Sequence, residues 1–121
     1  MNESPLYQAL RIEAAQKGGR LWRNNVGALQ DARGRWVRYG LANDSKQVNE
    51  ALKSSDLVGI MPQLILPEHV GHTFGRFVCR EVKAPDWHYT GTPREVAQKA
   101  WLDLINSLGG DARFATKEGT L

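Results

Sequence analysis

Residues 76–83 read Arg76-Phe77-Val78-Cys79-Arg80-Glu81-Val82-Lys83. The run carries aromatic and β-branched residues and is closed by Ala84-Pro85-Asp86, so it predicts a strand that ends before the proline. Successive side chains on a strand point to opposite faces. Glu81 and Lys83 therefore share the face of Phe77 and Cys79, while Val82 turns the other way. A carboxylate and an ammonium at the end of an apolar face are costly to bury unless something compensates them. A metal ion with a bound phosphate would do so. A cross-strand or exposed salt bridge, worth little, is the plainer alternative. Glu-x-Lys alone does not choose between them.

Upstream, Leu57-Val58-Gly59-Ile60-Met61 is a continuous apolar run of the kind a buried strand shows. Asp56 stands immediately before it, after Ser54-Ser55, where a turn residue would also fit. If this strand pairs with the 76–83 strand, Asp56, Glu81 and Lys83 converge. Hard divalent cations such as Mg2+ take oxygen ligands. Two carboxylates and the Val82 carbonyl would anchor one such ion. The ion would orient a phosphate, stabilise charge in the transition state and lower the pKa of a water. Lys83 would position or deprotonate that water, or neutralise developing charge. Between the two strands, Pro62 to Gly75 holds two prolines and two glycines, with an extended piece expected around Leu64-Ile65-Leu66 and an exposed loop.

Downstream, Thr92-Pro93-Arg94-Glu95 is a capping box with proline at the first helical position. Ala97, Ala100, Trp101, Leu104, Ile105 and Leu108 follow as an apolar stripe at helical period, and Gly109-Gly110 ends it. Arg113-Phe114-Ala115 suggests a short last strand. At the other end of the chain, Ser4 is an N-cap candidate with Pro5 in the first turn. Leu6, Leu10 and Ala14, with Tyr7 alongside, make a helix that Gly18-Gly19 ends. Leu21 to Val26 and Arg35 to Tyr39 read as two strands of a hairpin, joined through Asp31 to Gly34. Lys46 to Lys53 suits a short helix. This order predicts one domain, residues 1–121, of the α/β (α+β) class, with a mixed central β-sheet flanked by helices.

The chain has 121 residues, a net charge of +3 and a 41% hydrophobic fraction, enough for a core. Between Arg20 and Arg38 stand five arginines against one acid, Asp31, a clustering that suits a polyanionic partner. Arg20, Arg23, Arg35 and Arg38 are candidate phosphate contacts. Asn24 and Asn25 either donate to phosphate or hold a local turn. Trp22, Trp36 and Tyr39 could stack on bases, although the tryptophans read better as core residues. Cys79 is the only cysteine, which excludes an internal disulfide and a thiolate zinc centre, and it reads as a small buried hydrophobe. His69 and His72 lie in the Pro/Gly-rich stretch without ligand partners. No run of eighteen apolar residues and no basic-then-apolar opening segment is present, so the expectation is a cytoplasmic protein without a membrane partner.

The ordered set says more than its parts. Glu3 precedes the first helix. Arg23-Asn24-Asn25-Val26-Gly27, Ser55-Asp56-Leu57-Val58-Gly59 and Glu81-Val82-Lys83-Ala84 follow in turn, and Gln98 lies on the last helix ahead of Gly109-Gly110. In this order the chain resembles the PD-(D/E)xK nuclease superfamily, and within it the virus-type replication-repair nuclease (VRR-NUC) domain, over about residues 3–115. The superfamily proline is replaced by Ser55, and the separation between Asp56 and Glu81 is long. The resemblance implies a restriction-endonuclease-like core. Asp56, Glu81 and the Val82 carbonyl would hold Mg2+ (Mn2+ as substitute), and Lys83 would be the catalytic lysine. Gln98 would line the site, and Glu3 would lie beside the metal, with Glu13 as a weaker substitute. It implies a DNA endonuclease acting as a homodimer on branched DNA such as a Holliday junction, in the host cytoplasm if phage-encoded. The alternative is a catalytically inactive nucleic-acid-binding module of the same fold.

Overall fold

The computed structural model describes residues 4–121. Its contacts fall into two compact units, Met1–Gly59 and Ile60–Leu121. Helices and strands are mixed in both, in keeping with the α+β class. Instead of one central sheet, the described strands pair as three two-stranded sheets.

The first unit opens with α1 (Ser4–Gln16). Its C-terminus is fixed by the glycine pair the sequence singled out. Gly18 takes φ +86°, its N–H bonds the Ala15 carbonyl at 3.1 Å, and the Gly19 N–H reaches back to Ala14 at 2.8 Å. These two bonds are those of a Schellman motif, which a left-handed residue after the helix makes possible. Ala14 is buried and Tyr7 half-buried against β1 (Arg20–Arg23), but Leu6 points to solvent at 60% exposure and does not belong to the packed stripe.

β1 pairs with β4 (Leu57–Ile60). The strands meet closely at Gly59, where a Cβ would stand 1.9 Å from the Arg20 carbonyl oxygen. β2 (Gly27–Gln30) and β3 (Trp36–Tyr39) form an antiparallel hairpin, with Gly27 opposite Tyr39 and Gln30 opposite Trp36. The first arm of the hairpin is thus 27–30, not 21–26 as the sequence suggested. Asn24 ends β1 by turning its side chain to other segments, so the run through Val26 is not one strand. The hairpin loop is closed by Asp31, whose carboxylate accepts from the N–H groups of Arg33 (2.8 Å) and Arg35 (2.9 Å) and from Arg35 Nε (3.1 Å). These bonds, the Arg35 N–H foremost, hold its carboxyl below the usual range. Asn43, 3% exposed, donates to the Gly27 and Tyr39 carbonyls and accepts from Arg38, so both polar atoms of its side chain are paired. α2 (Lys46–Ala51) is capped by Ser45.

In the second unit, residues 61–77 form no strand. The extended piece expected at Leu64-Ile65-Leu66 is irregular chain, and the only regular turn there is a 3₁₀ turn at Pro67–His69. β5 (Val78–Val82), α3 (Pro93–Ser107) and β6 (Asp111–Ala115) then make a β-α-β unit with β5 and β6 parallel. β5 pairs with β6 and β4 with β1, so the expected pairing of the 57–61 strand with the 76–83 strand is not formed. An apolar run predicts a buried strand but does not name its partner.

The capping box of α3 is realised. Thr92 Oγ1 accepts from the Glu95 N–H at 3.2 Å, and Glu95 Oε1 accepts from the Thr92 N–H at 3.1 Å. The helix ends in a second Schellman motif, with Gly109 at φ +97° and Gly110 N–H bonded to Ile105 at 3.0 Å. Its buried line is Glu95, Leu102 and Ile105, with Gln98 half-buried between them. Ala97, Ala100 and Trp101 lie on an exposed flank, so the packed stripe is rotated from the one the sequence suggested. Fully buried Ile105 is worth about 2 to 3 kcal/mol here. Asn106 bonds both the N–H and the carbonyl of Ala112 at 2.8 Å and so covers the outer edge of β6.

Candidate active site

In the second unit three of the expected site residues stand together. Glu81 lies on β5, Lys83 just beyond its end, and Gln98 on α3, which packs on that face. Lys83 Nζ donates to Gln98 Oε1 at 2.8 Å, and Gln98 Nε2 donates to Glu81 Oε1 at 3.0 Å. Lys83 Nζ lies 3.9 Å from Glu81 Oε1, with 16% of the lysine side chain exposed against 38% of the glutamate's. The amide of Gln98 thus ties the acid to the base. The ladder also orients Val82. The Lys83 N–H bonds the Ala115 carbonyl and the Asp111 N–H the Phe77 carbonyl. In the register Val78–Asp111 to Val82–Ala115, the odd-numbered peptide groups of β5 face β6. The Val82 carbonyl accordingly points away from β6, at the edge of this two-stranded sheet.

Lys83 has a second set of neighbours that sequence patterns did not reveal. Its Nζ lies 5.5 Å from the centroid of the Trp87 ring and 5.9 Å from that of Phe114. The two rings pack at 4.7 Å. Trp87 is held in turn, because its Nε1–H donates to Glu95 Oε2 at 2.7 Å. Glu95 also accepts from the N–H and hydroxyl of Thr90. The bonds it receives, that of the Thr92 N–H first, bring its carboxyl down to about 2. The glutamate of the α3 capping box is therefore also the anchor of the lysine's aromatic wall. The cap was visible in the sequence, but the indole bond was not.

A cleft of about 370 Å³ opens at Glu81 and Gln98, with Arg94, Ala97 and Trp101 as its other walls. Arg94 and Trp101 are additions to the residues the sequence proposed. On the reverse face of β5, Arg80 is engaged with Asp111 and Thr120, and its guanidinium is the first cause of the lowered Asp111 carboxyl. Cys79 is half-buried beside it in sequence.

Asp56 belongs to the first unit and is exposed. Tyr7 donates its hydroxyl to Asp56 Oδ2 at 3.0 Å, and the Asn24 N–H bonds the Asp56 carbonyl at 2.8 Å. Asn24 Nδ2 also bonds Ser54 Oγ and the Ser55 carbonyl, and its Oδ1 accepts from the Leu41 N–H. With these bonds Asn24 fastens the segment before β4. Arg20 bonds the Gly19 carbonyl, Arg35 pairs with Asp31 and Arg38 bonds Asn43. Arg23 lies over the Tyr7 ring, and Asn25 is exposed. Trp22 is half-buried, but Trp36 is 70% exposed and is no core residue. Glu3 lies outside the described residues, and Glu13 pairs with Lys17 at 3.6 Å.

Within the second unit, the Glu81 carboxylate and the Val82 carbonyl are oxygen donors of the type hard cations take. No group of three or more His, Cys, Asp or Glu side chains gathers among the described residues. No described helix is long and apolar enough to cross a membrane. Compared with protein families, with characterised proteins and with solved structures, the chain gives no match.

Proposed function

We propose that this protein is a divalent-metal-dependent nuclease of the VRR-NUC type that hydrolyses phosphodiester bonds in DNA. The observation that carries the reading is the Glu81–Gln98–Lys83 chain of hydrogen bonds, in which the glutamine of α3 joins the two charged residues of Glu-x-Lys. An ordinary ion pair needs no third residue reaching from another element to hold both partners. The opening of a cleft at Glu81 and Gln98, two of these residues, supports the reading further.

The reading assigns Glu81 and the Val82 carbonyl as oxygen ligands of Mg2+ or Mn2+, and the family resemblance implies Asp56 as a further one. Bound there, the ion supplies Lewis-acid polarisation of the phosphate. The chain's own residues do the rest. A carboxylate, an amide oxygen and two ring faces surround Lys83 Nζ, and all of them attract positive charge. Lys83 therefore acts as a fixed cation that stabilises charge on the phosphoryl oxygens as it develops. Gln98 holds the lysine and the glutamate at their separation, so that neither must reorganise during the reaction. Arg94 offers the cleft a guanidinium for a neighbouring phosphate. Water forms the new bond to phosphorus as the bond to the 3′ oxygen breaks, giving a 5′-phosphate and a 3′-hydroxyl, with the water's proton balance completed through solvent.

Branched DNA as substrate and a homodimer as the working form belong to the same proposal and rest on the family resemblance. A two-fold dimer suits a substrate with two symmetric cleavage points. The test is a panel of end-labelled linear, flapped and four-way-junction DNA incubated with Mg2+ or Mn2+. Preferential cutting of the junction is expected. Binding of every substrate with no cutting by any would favour the inactive binding module instead.

A further inference from the structure

We propose that Tyr7, Arg11 and Arg23 of the first unit form a phosphate subsite beside Asp56. The three residues, with Gln8, line a cavity of about 140 Å³. A water's share of liquid volume is about 30 Å³, so the cavity has room for a group larger than a single water. Both arginines are held at one side and open at the other. Arg11 donates Nε to the Leu21 carbonyl at 3.0 Å, which fixes the guanidinium edge and leaves its two terminal nitrogens. The Arg23 guanidinium carbon lies over the Tyr7 ring at 5.5 Å from its centroid, a cation–π contact that leaves the guanidinium N–H groups to donate elsewhere. Neither arginine forms an ion pair among the described residues, whereas Glu13 on the same helix is taken by Lys17.

Two pre-oriented guanidinium groups around one cavity match the oxygens of a phosphate, which arginine binds bidentately. Tyr7 joins the subsite to Asp56, because the ring that carries Arg23 also donates its hydroxyl to the Asp56 carboxylate. A phosphate seated here would lie next to a carboxylate assigned to the metal. The choice of a nucleic-acid strand as its source rests on the nuclease reading; the phosphate chemistry does not.

The test measures duplex DNA binding across a salt series in EDTA, where no cleavage is needed, for wild type, Arg11→Gln, Arg23→Gln and the Lys variants. In parallel, inorganic phosphate is titrated into wild type while the arginine Nε–H resonances are followed by NMR. Loss of one phosphate contact lowers the slope of log K against log salt by about 0.9. Each Gln variant is expected to show that drop and to bind on the order of tenfold more weakly. The Lys variants should keep the slope, because they keep the charge. If phosphate moves the Arg11 and Arg23 resonances while the DNA slopes stay constant, the subsite stands with a small phosphorylated ligand as its occupant. Unchanged slopes together with unmoved resonances would overturn it. A protein that shows the slope changes but cuts nothing would retain the subsite and lose the nuclease reading. One that cuts DNA with neither slopes nor resonances altered would do the reverse.

Discussion

Lys83 is the residue at which most of the site's physics meets. Gln98 accepts a hydrogen bond from its ammonium, Glu81 balances its charge, and Trp87 and Phe114 supply its walls. If the aromatic wall positions the ammonium, Trp87→Leu should lower kcat about tenfold with KM little changed, because the contact matters most where charge develops. Trp87→Phe, which keeps a ring face, should recover most of that loss. Ring-current shifts of the Lys83 methylenes, read by NMR without metal, should disappear in the Leu variant only. Glu81 and Lys83 were legible as a pair because strand parity is a local property, whereas Gln98 came only from the family resemblance. Trp87 was not: nothing in its spacing says that the chain after β5 folds the indole back over the lysine. Arg94 was hidden for a similar reason, since it looked like one more residue of a capping box.

At the scale of elements, α3 carries the site, and its N-terminal cap ties it to the aromatic wall. Thr92→Ala should cost about 1 kcal/mol, seen as a fall of several degrees in the thermal midpoint. Glu95 adds a pH dependence with a definite sign. Its folded-state carboxyl titrates at about 2 against an ordinary 4.5, so its contribution is complete above the unfolded value. That contribution is lost as pH falls from there through the folded value. The stability difference between wild type and Glu95→Gln should therefore narrow between about pH 4.5 and pH 2, as followed by urea unfolding. Gly59 sets a second constraint. A Cβ placed 1.9 Å from the Arg20 oxygen cannot be accommodated without parting β1 from β4. Gly59→Ala should destabilise by about 2 kcal/mol or more in denaturant titration. Both helix ends and the α3 start were legible because caps are written in adjacent residues. Strand partners were not. The 21–26 run was read as one arm of the hairpin, but the Asn24 side chain leaves it for Ser54 and Leu41, and Gly27–Gln30 takes its place.

For the whole molecule, the basic excess between Arg20 and Arg38 looked like one phosphate-binding face. The structure divides its members. Arg20, Arg35 and Arg38 each bond a partner within the first unit, and Arg23 joins Arg11 around a cavity. Charge counting could not separate the arginines that bond within the fold from Arg23, which lies over a ring and lines a cavity. Arg11 was overlooked for the same reason, since it stands alone on α1. The α+β class was legible from the alternation of helical and strand patterns, but three small sheets rather than one depended on long-range pairing. The central claim is that the Glu81–Gln98–Lys83 chain cleaves phosphodiester bonds with a divalent ion. It is tested most directly by single-turnover cleavage of labelled DNA in Mg2+ and in EDTA. Wild type would be compared with Lys83→Met, Asp56→Asn and Gln98→Ala, each checked for an unchanged melting profile. The account expects cleavage by wild type in Mg2+ and none in EDTA, loss of at least about a hundredfold in the Lys83 and Asp56 variants, and a loss of about ten- to a hundredfold for Gln98→Ala. Equal rates for all four proteins, or cleavage unaffected by EDTA, would contradict it.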